Sequence, residues 1–401
     1  MSDHSLPTLR GIRVLDLSTI VAGPTASMIL ADLGADVIKV EPISGEDGRA
    51  MGPHRGPWGA YFVALNRGKR SIAVDITNPK GREVVLRLVS RSDVFLENFR
   101  GGQAERLGFD EPSVRAARPD IIYGSLSAYG SRGPDYTKPG YDAVLQARTG
   151  IMSVTGNEPA VPVRAGVSIL DMGSGVWLAL GVLAALLERQ RSGKGQRVDS
   201  SLFQTGLMLM AYHLLYRQFA GVNPVPQGSR HTAFAPYGAY PTADGSIMIG
   251  ISGDRAFQRL CKALGKPEWS GDPLFQTNPD RVHNAQELAR RIGDILRTRP
   301  TLYWVALFDQ NGIANDAVQN SEQVLADPQA EALGQLASVN LEGEASARVP
   351  KLPLEFSAHP LASLGPPPRL GEHGRAILKE AGYGEQEIDD LSLSGACAYA
   401  K

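Results

Sequence analysis

A chain of 401 residues with 41 Lys and Arg against 42 Asp and Glu has a formal net charge of −1, which argues against a nucleic-acid-binding surface. Its 43% hydrophobic and 21% charged residues are typical of a soluble globular protein with two domains or one enlarged domain. The first residues lack the apolar stretch of a secretory signal, and Cys261 and Cys397 fit no metal motif or disulfide framework. We therefore expect a cytoplasmic protein without a bound metal.

The first half of the chain alternates strand-like and helix-like segments. Apolar runs predict strands at 13–17, 36–40, 71–75, 94–96 and 121–127, with helices at 25–33 and 79–89. Short runs rich in Val and Ile that alternate with helices are typical of a parallel sheet covered on both faces. The N-terminal half is thus predicted to be an α/β structure.

The second half begins with a long apolar helix and then changes in composition. Predicted elements here are a helix at 173–191, an extended segment at 196–200, and helices at 202–219, 254–264, 284–298 and 302–310. The longest apolar stretch, Val176 to Leu187, is too short to span a bilayer and predicts a buried core helix. Gly, Pro and Ser accumulate over 220–237 and predict a linker. Asp244-Gly245 predicts the turn of a hairpin in a second domain.

The segment from Val14 to Glu41 has the strand, turn, helix and strand of a dinucleotide-binding site, ending in an acidic residue. Its turn reads Ala22-Gly23-Pro24 and lacks the G-x-G-x-x-G pattern that lets the backbone approach a pyrophosphate. Pro24 fits an early helical position, where its missing N–H costs nothing. NAD binding is therefore disfavoured, and a tight connection is the simple alternative.

Five strings occur in one order along the chain: AGPTASMILADLGADVIKVEP, NRGKRSIAVDITNPKGR, DVFLENFRGG, ERLGF and GKGQRVD. Together they closely resemble the class III CoA-transferase (CaiB/BaiF) family, from about Leu9 to near Gly382. The resemblance implies an α/β fold with a Rossmann-like large domain and a small α/β domain, in an interlocked homodimer. We expect residues 1–200 and 330–401 to form the large domain, 201–235 a helix and linker, and 236–329 the small domain.

The resemblance implies an enzyme that moves CoA between carboxylic acids, with a CoA thioester as substrate and no tightly bound cofactor. The phosphates of CoA require Arg, Lys or helix N-termini. The candidate CoA-binding residues are Ala22, Asn66, Lys69, Arg70, Asn98, Phe99, Arg106 and Lys138. Each basic side chain among them could equally be a solvated surface charge.

Asp171 stands at the start of the long apolar helix. Its position alone predicts an N-cap, because Asp is a favoured cap. The resemblance instead implies that Asp171 is the nucleophile, directly before the small-residue run Gly173-Ser174-Gly175. Both roles are compatible, since a helix N-terminus favours an ionised carboxylate. With the ordinary aspartate pKa of about 3.9, the side chain would be ionised at neutral pH and need no general base.

Two related activities are disfavoured by single residues. A racemase branch pairs the aspartate with a histidine in a Gly-His-Asp tripeptide, whereas this chain has Gly140-Tyr141-Asp142. Tyrosine, with a pKa of about 10, is a poor base at neutral pH. Tyr141 is either part of an acyl pocket or a packed aromatic residue. The formyl-CoA:oxalate branch carries Gln at the position of Val21. That branch also has a tetraglycine loop, for which the nearest candidate in this chain is Gly-Ile-Ser-Gly at 250–253. Oxalate is therefore disfavoured as the acceptor.

The segments PGYDAVLQARTGIMSVTG and SRHTAFAPYGAYPTADG resemble the branch that transfers CoA from succinyl-CoA to four- to six-carbon dicarboxylates. The free carboxylate of such an acid needs Arg or His. The candidates are Arg49, Arg164, Arg230 and His231, with the last two ranked first. Intramolecular transfer within one dicarboxylate, as for mesaconate, and non-catalytic binding of a CoA ester remain open alternatives.

Overall fold

The computed structural model describes residues 7–157 and 161–399. The chain divides into two compact units. The first comprises Met1–Gly150, Ala165–Tyr212 and Glu331–Lys401, and the second comprises Ile151–Arg164 and His213–Ala330. The first unit uses both ends of the chain, and the segment 201–235 is divided between the two units.

Strands and helices follow each other along most of the chain. The strands are β1 (Arg13–Asp16), β2 (Asp36–Glu41), β3 (His54–Arg55), β4 (Trp58–Gly59), β5 (Arg70–Val74), β6 (Val94–Glu97), β7 (Ile122–Ser127), β8 (Arg197–Ser201), β9 (Tyr237–Pro241), β10 (Ser246–Gly250), β11 (Ala314–Ala317), β12 (Leu336–Leu341), β13 (Glu344–Pro350) and β14 (Cys397–Ala398). The helices of the first part are α1 (Ala22–Asp32), α2 (Ala60–Asn66), α3 (Pro79–Val89), α4 (Gln103–Leu107), α5 (Glu111–Ala117), α6 (Asp142–Arg148), α7 (Ile169–Ser192), α8 (Leu202–Leu209) and α9 (Ala211–Ala220). The remaining helices are α10 (Asp254–Ala263), α11 (Asn278–His283), α12 (Ala285–Leu296), α13 (Thr301–Gln310), α14 (Ser321–Leu325), α15 (Pro328–Ala332), α16 (Gly374–Glu380) and α17 (Glu385–Leu393), with 3₁₀ turns at Asp47–Ala50, Ile151–Ser153 and Pro267–Gly271.

The first unit is built on a seven-stranded sheet in the order β14-β5-β2-β1-β6-β7-β8. All neighbouring strands between β5 and β8 in this order pair in parallel, which confirms the predicted parallel sheet. Strand β14, which was not predicted, adds to β5 in the antiparallel direction. The order changes direction at β1: β2 and β5 extend the sheet on one side, and β6 starts the other side.

Both faces of this sheet are covered, because alternate residues of each strand point to opposite sides. Val14 and Leu96 face a core that includes residues of α1 and α7. Leu15 and Phe95 face a second core, which includes residues of α3, α16 and α17. The near-continuous apolar strands that the sequence shows are those of a sheet buried on both sides.

Helix α7 packs against α1 through small residues. A Cβ on Gly175 would lie 2.6 Å from the carbonyl oxygen of Ala22, so only glycine permits this approach. Thr25 Oγ1 also lies 3.3 Å from Met172 Sδ. Helix α7 has 24 residues and contains an 18-residue window with a mean hydropathy of 1.8, so by length and composition it could cross a membrane, contrary to the predicted shorter stretch. One side of α7 packs on α1, β7 and β8, where Leu178 and Val182 are buried, and other side chains such as Leu180 are exposed.

The second unit contains an antiparallel sheet in the order β11-β10-β9. Strands β9 and β10 confirm the predicted hairpin, with its turn at Asp244-Gly245. Helices α10, α12 and α13 confirm the three predicted helices and share an apolar core with the sheet, centred on residues such as Ile247, Phe257 and Phe308. The predicted helix at 202–219 is interrupted at Met210, which separates α8 from α9.

Candidate active site

A pocket of about 220 Å³ opens at the carboxyl ends of β1, β6 and β7. Its walls come from the segments that follow these strands, from the segment before α6, and from the start of α7. The lining residues are Thr19–Ala22, Asn98–Gly101, Leu126–Ala128, Tyr136, Lys138–Tyr141, Asp171 and Leu202. Because β1 and β6 are the strands between which the sheet order changes direction, the pocket occupies the position where open α/β sheets bind ligands.

Asn98 joins the two segments that leave β1 and β6. Its side-chain oxygen accepts the N–H of Thr19 at 2.9 Å, and its side-chain nitrogen donates to the Thr19 carbonyl, also at 2.9 Å. The side-chain amide of Asn98 therefore binds both the N–H and the C=O of Thr19, as the backbone of a neighbouring strand would. This pairing fixes the pocket wall at the point where the two strands separate.

Asp171 is the third residue of α7 and lines the pocket. It is not the N-cap, so that interpretation was wrong; Ser168 occupies the cap position without a side-chain hydrogen bond. The capping carboxylate belongs to Asp142, at the start of α6. Its Oδ2 accepts the N–H of Leu170 at 2.7 Å and that of Asp171 at 3.1 Å. The Asp171 carboxylate is thereby left to face the pocket.

Burial and the nearby Asp142 carboxylate raise the pKa of Asp171 to about 7. The expectation of an ordinary, fully ionised aspartate at neutral pH is therefore wrong. Desolvation disfavours the charged form, and a second negative charge adds to that effect. A carboxyl group with a pKa near 7 inside a pocket is a common feature of functional sites.

Asp142 is a residue of the candidate site whose contact with α7 the sequence analysis missed, although it stands next to Tyr141. Its side chain is buried, and its Oδ1 accepts a hydrogen bond from Gln146, whose own oxygen accepts the Ala165 N–H at 2.8 Å. An Asp in the first turn of a helix normally indicates an interaction with its own helix. Its contact with a helix that begins 27 residues later has no local signal.

The pocket brings together six of the predicted site residues. They are Ala22, Asn98, Phe99, Lys138, Tyr141 and Asp171. Tyr141 is 69% exposed, so it is available to a ligand and is not a packed core residue. Lys138 lies 5.6 Å from the ring of Tyr129, and Arg100 also lines the pocket. These two cations give one wall of the pocket a positive charge.

Four predicted CoA-binding residues lie outside the lining of this pocket. Asn66 and Lys69 are buried. Lys69 Nζ lies 3.1 Å from Asp16 Oδ2 and 2.8 Å from Asn66 Oδ1. Arg70 forms ion pairs with Asp36 at 2.7 Å and with Glu380. The fourth, Arg106, is an exposed residue of α4.

The buried position of Lys69 leads to a stability prediction. Burial lowers the pKa of Lys69 to about 8, while the Asp16 carboxylate opposes that change. Lys69→Met removes one partner of a buried ion pair, so we expect the free energy of unfolding to fall by about 3 to 5 kcal/mol. Urea denaturation measures this loss, with Lys80→Met on the exposed face of α3 as the control. Unchanged stability together with weakened CoA binding would contradict the structural role and favour a direct contact with CoA.

The predicted partners of a free substrate carboxylate lie in different places. Arg49 donates to both oxygens of Glu41, at 2.6 and 2.8 Å, and stacks on Phe62, so its guanidinium is already engaged. Arg230 and His231 line a separate pocket of about 210 Å³ in the second unit. Arg164 belongs to the second unit and does not line that pocket.

The second-unit pocket is suited to an anion. Its lining contains Arg230, His231 and three tyrosines, and no Asp or Glu of the described chain is among its lining residues. His231 Nδ1 accepts the Ala233 N–H at 3.0 Å, so the neutral ring carries its proton on Nε2. Arg230 therefore supplies a guanidinium and His231 an N–H donor.

Comparison with known proteins gives a consistent result across the chain. A family model described as CoA-transferase family III matches residues 9–374. A succinate–glutarate CoA-transferase of Agrobacterium fabrum is 36% identical over 93% of this chain and 96% of its own length. A human succinyl-CoA:glutarate CoA-transferase is 34% identical, covering 98% of this chain and 90% of the relative. The crystal structure of a CaiB/BaiF family protein from Brucella suis superimposes with a TM-score of 0.86 at 34% identity, covering 94% of this chain and all of that one. The chain therefore belongs to CoA-transferase family III.

Proposed function

We propose that this protein transfers CoA from succinyl-CoA to a four- to six-carbon dicarboxylic acid, with Asp171 as the covalent carrier. The observation that carries the proposal is the Asp171 carboxylate on the wall of the pocket at the carboxyl edge of the sheet. Two relatives named for succinate or succinyl-CoA and glutarate support the choice of dicarboxylate.

The first half of the reaction loads CoA onto the enzyme. An oxygen of the Asp171 carboxylate attacks the thioester carbonyl of succinyl-CoA, the C–S bond breaks, and CoA leaves as a thiolate. The product is a mixed anhydride between Asp171 and succinate. The thiolate then attacks the carbonyl carbon of Asp171, the anhydride C–O bond breaks, and succinate is released. Asp171 now carries CoA as a thioester.

The second half repeats these steps in reverse with the acceptor. The acceptor carboxylate attacks the Asp171 thioester and expels the CoA thiolate, which gives a second mixed anhydride. The thiolate attacks the acceptor carbonyl, so the new acyl-CoA leaves and the Asp171 carboxylate is regenerated. One thioester is exchanged for another, and the balanced reaction needs no ATP, metal or redox cofactor.

The neighbouring residues have separate roles in this proposal. Asp142 holds the start of α7. Burial and, to a smaller extent, the Asp142 carboxylate raise the pKa of Asp171, which makes its carboxylate a stronger nucleophile while it stays partly ionised at neutral pH. Lys138 and Arg100 attract the phosphates of CoA to the open side of the pocket. Tyr141, exposed in the free protein, contacts the acyl group. Within the second unit, the pocket with Arg230 and His231 binds a carboxylate.

An acceptor panel tests this function. The protein is incubated with succinyl-CoA and glutarate, adipate, mesaconate, oxalate or acetate, and new CoA esters are identified by mass spectrometry. We expect ester formation with glutarate and its neighbours in chain length, and little with acetate or oxalate. Arg230→Met should raise the KM for the dicarboxylate about tenfold or more, as for loss of a charged hydrogen bond, with Arg255→Met as the control. Intact succinyl-CoA across the whole panel would overturn the donor assignment.

We further propose that the chain forms a homodimer. Helices α7 to α9 expose large apolar side chains, including Leu180 at 54%, Tyr212 at 67% and Phe219 at 86%. Exposed apolar surface of this extent is typical of a protein interface. Analytical ultracentrifugation should give the mass of two chains, and a stable monomer at micromolar concentration would contradict the proposal.

A further inference from the structure

The segment that leaves β1 adopts a strained backbone where it enters the pocket wall. Ile20 has a φ of 71°, the one positive φ at a non-glycine residue in the described part of the chain. The left-handed conformation is unfavourable for a β-branched side chain, and it persists only where surrounding contacts enforce it. Since Thr19 to Ala22 line the pocket together with Asp171, the conformation of Ile20 determines the shape of that wall.

Ser18, Thr19 and Ile20 are each held by a buried or half-buried side chain from another segment of the chain. The Ser18 carbonyl accepts a hydrogen bond from Lys39 Nζ at 2.8 Å. Thr19 is held on both sides by Asn98. The Ile20 N–H donates to Glu46 Oε2 at 2.7 Å. The strained residue is therefore the one bound by a carboxylate.

Glu46 is itself fixed in place. Its other oxygen lies 3.2 Å from Lys39 Nζ, and neither side chain of this pair is exposed to solvent. The carboxylates of Glu46 and Asp16 raise the pKa of Lys39, although burial alone would lower it, so the ammonium is charged. Lys39 thus contacts both the Ser18 carbonyl and the carboxylate that binds Ile20. A hydrogen bond to a charged acceptor in such a site is stronger than one between neutral groups.

We propose that Glu46 is a positioning residue for CoA transfer, because its carboxylate holds Ile20 in the left-handed conformation and so sets the pocket wall against which the thioester meets Asp171. This inference rests on the proposed function of Asp171. Glu46 touches no reacting atom and acts through the backbone of Ile20. Small misplacements of a reactive group can cost large factors in rate, so the wall need not move far to matter.

Glycine adopts a positive φ without steric cost, which provides a specific test. Glu46→Gln keeps the volume of the side chain and weakens its hold on Ile20. We expect it to lower the rate of acylation of Asp171 by succinyl-CoA by about 10- to 100-fold. The Ile20→Gly variant, which loses a side chain of the pocket wall, serves as the reference for a second comparison. Adding Glu46→Gln to Ile20→Gly should lower the rate by less than about threefold, because glycine holds the left-handed conformation without the carboxylate. In an Ile20→Val background, which keeps the branched Cβ, Glu46→Gln should cost as much as in the wild-type protein.

The rate is measured as hydroxamate formation at Asp171, with circular dichroism to show that each variant is folded. A folded Glu46→Gln protein with the wild-type rate overturns the inference, and so does a loss of rate on Glu46→Gln that is as large in the Ile20→Gly background as in the wild-type background. If Glu46→Gln fails to fold, Glu46→Ala in the Ile20→Gly background replaces it, and the same comparison applies. Should the wild-type protein itself form no adduct at Asp171, the proposed function fails separately. The Kd for CoA is then measured instead. A higher Kd in Glu46→Gln than in the wild-type protein, without the same rise when Glu46→Gln is added to Ile20→Gly, supports the positioning role. An unchanged Kd in Glu46→Gln overturns it.

Discussion

Asp171→Ala should lower the rate of CoA transfer by about 1,000-fold or more, as expected when the group that forms a covalent intermediate is removed. Without the carboxylate, neither mixed anhydride can form, and the CoA thiolate has no site on the enzyme to occupy between the two half-reactions. The remaining pocket residues can still bind the CoA ester. The loss should therefore fall on kcat, with little change in KM.

The structure suggests that this variant stays folded. The ionised Asp171 carboxylate destabilises the folded state, because burial and the Asp142 carboxylate both disfavour its charge. Removing it leaves Asp142 free to cap Leu170 and residue 171 through their N–H groups. Steady-state kinetics measures the loss of turnover in Asp171→Ala, and the Kd for CoA shows whether the variant still binds the coenzyme. Turnover within tenfold of wild type would show that the reaction does not pass through Asp171.

Activity should also depend steeply on pH below neutrality. Only the ionised form of Asp171 can attack the thioester, and its pKa is about 7. The ionised fraction, and with it kcat/KM, should therefore fall about tenfold per pH unit below 7 and level off above it. An aspartate with an ordinary pKa would give no such limb above pH 5.

Asp142→Asn tests the cause of this limb. Removing the Asp142 charge removes one of the two effects that raise the pKa of Asp171, so the acid limb should move to lower pH. Glu355→Gln, at an exposed position in the same unit, should leave the profile unchanged. An acid limb that stays in place in Asp142→Asn would mean that another group controls the ionisation of the site.

The strands were predictable because their chemistry is local. Runs such as Val14-Leu15 and Val37-Ile38 place apolar side chains on both faces of a strand, and only a sheet covered on both sides can bury them. The hairpin at Asp244-Gly245 was equally local. Strand β14 was not predictable, because its two residues gain their structure only by pairing with β5, more than 300 positions earlier.

The pocket was partly predictable for a related reason. Asn98 and Asp171 stand in short motifs, whereas the roles of the charged residues depend on distant partners. Arg70 pairs with Glu380, and Arg49 donates a hydrogen bond to the carbonyl of Pro368, so both are engaged in ways that no local pattern indicates. The raised pKa of Asp171 likewise follows from burial and from Asp142, which sequence spacing does not reveal.

The most direct test of the account is to identify the covalent intermediate. Wild-type protein is incubated with succinyl-CoA in the absence of an acceptor, treated with hydroxylamine, digested and analysed by mass spectrometry, with Asp171→Ala in parallel. The account predicts a hydroxamate at Asp171 in the wild-type protein, dependent on succinyl-CoA and absent from the variant. Formation of new CoA esters by a protein whose Asp171 stays unmodified, or a hydroxamate at another carboxylate, would contradict it.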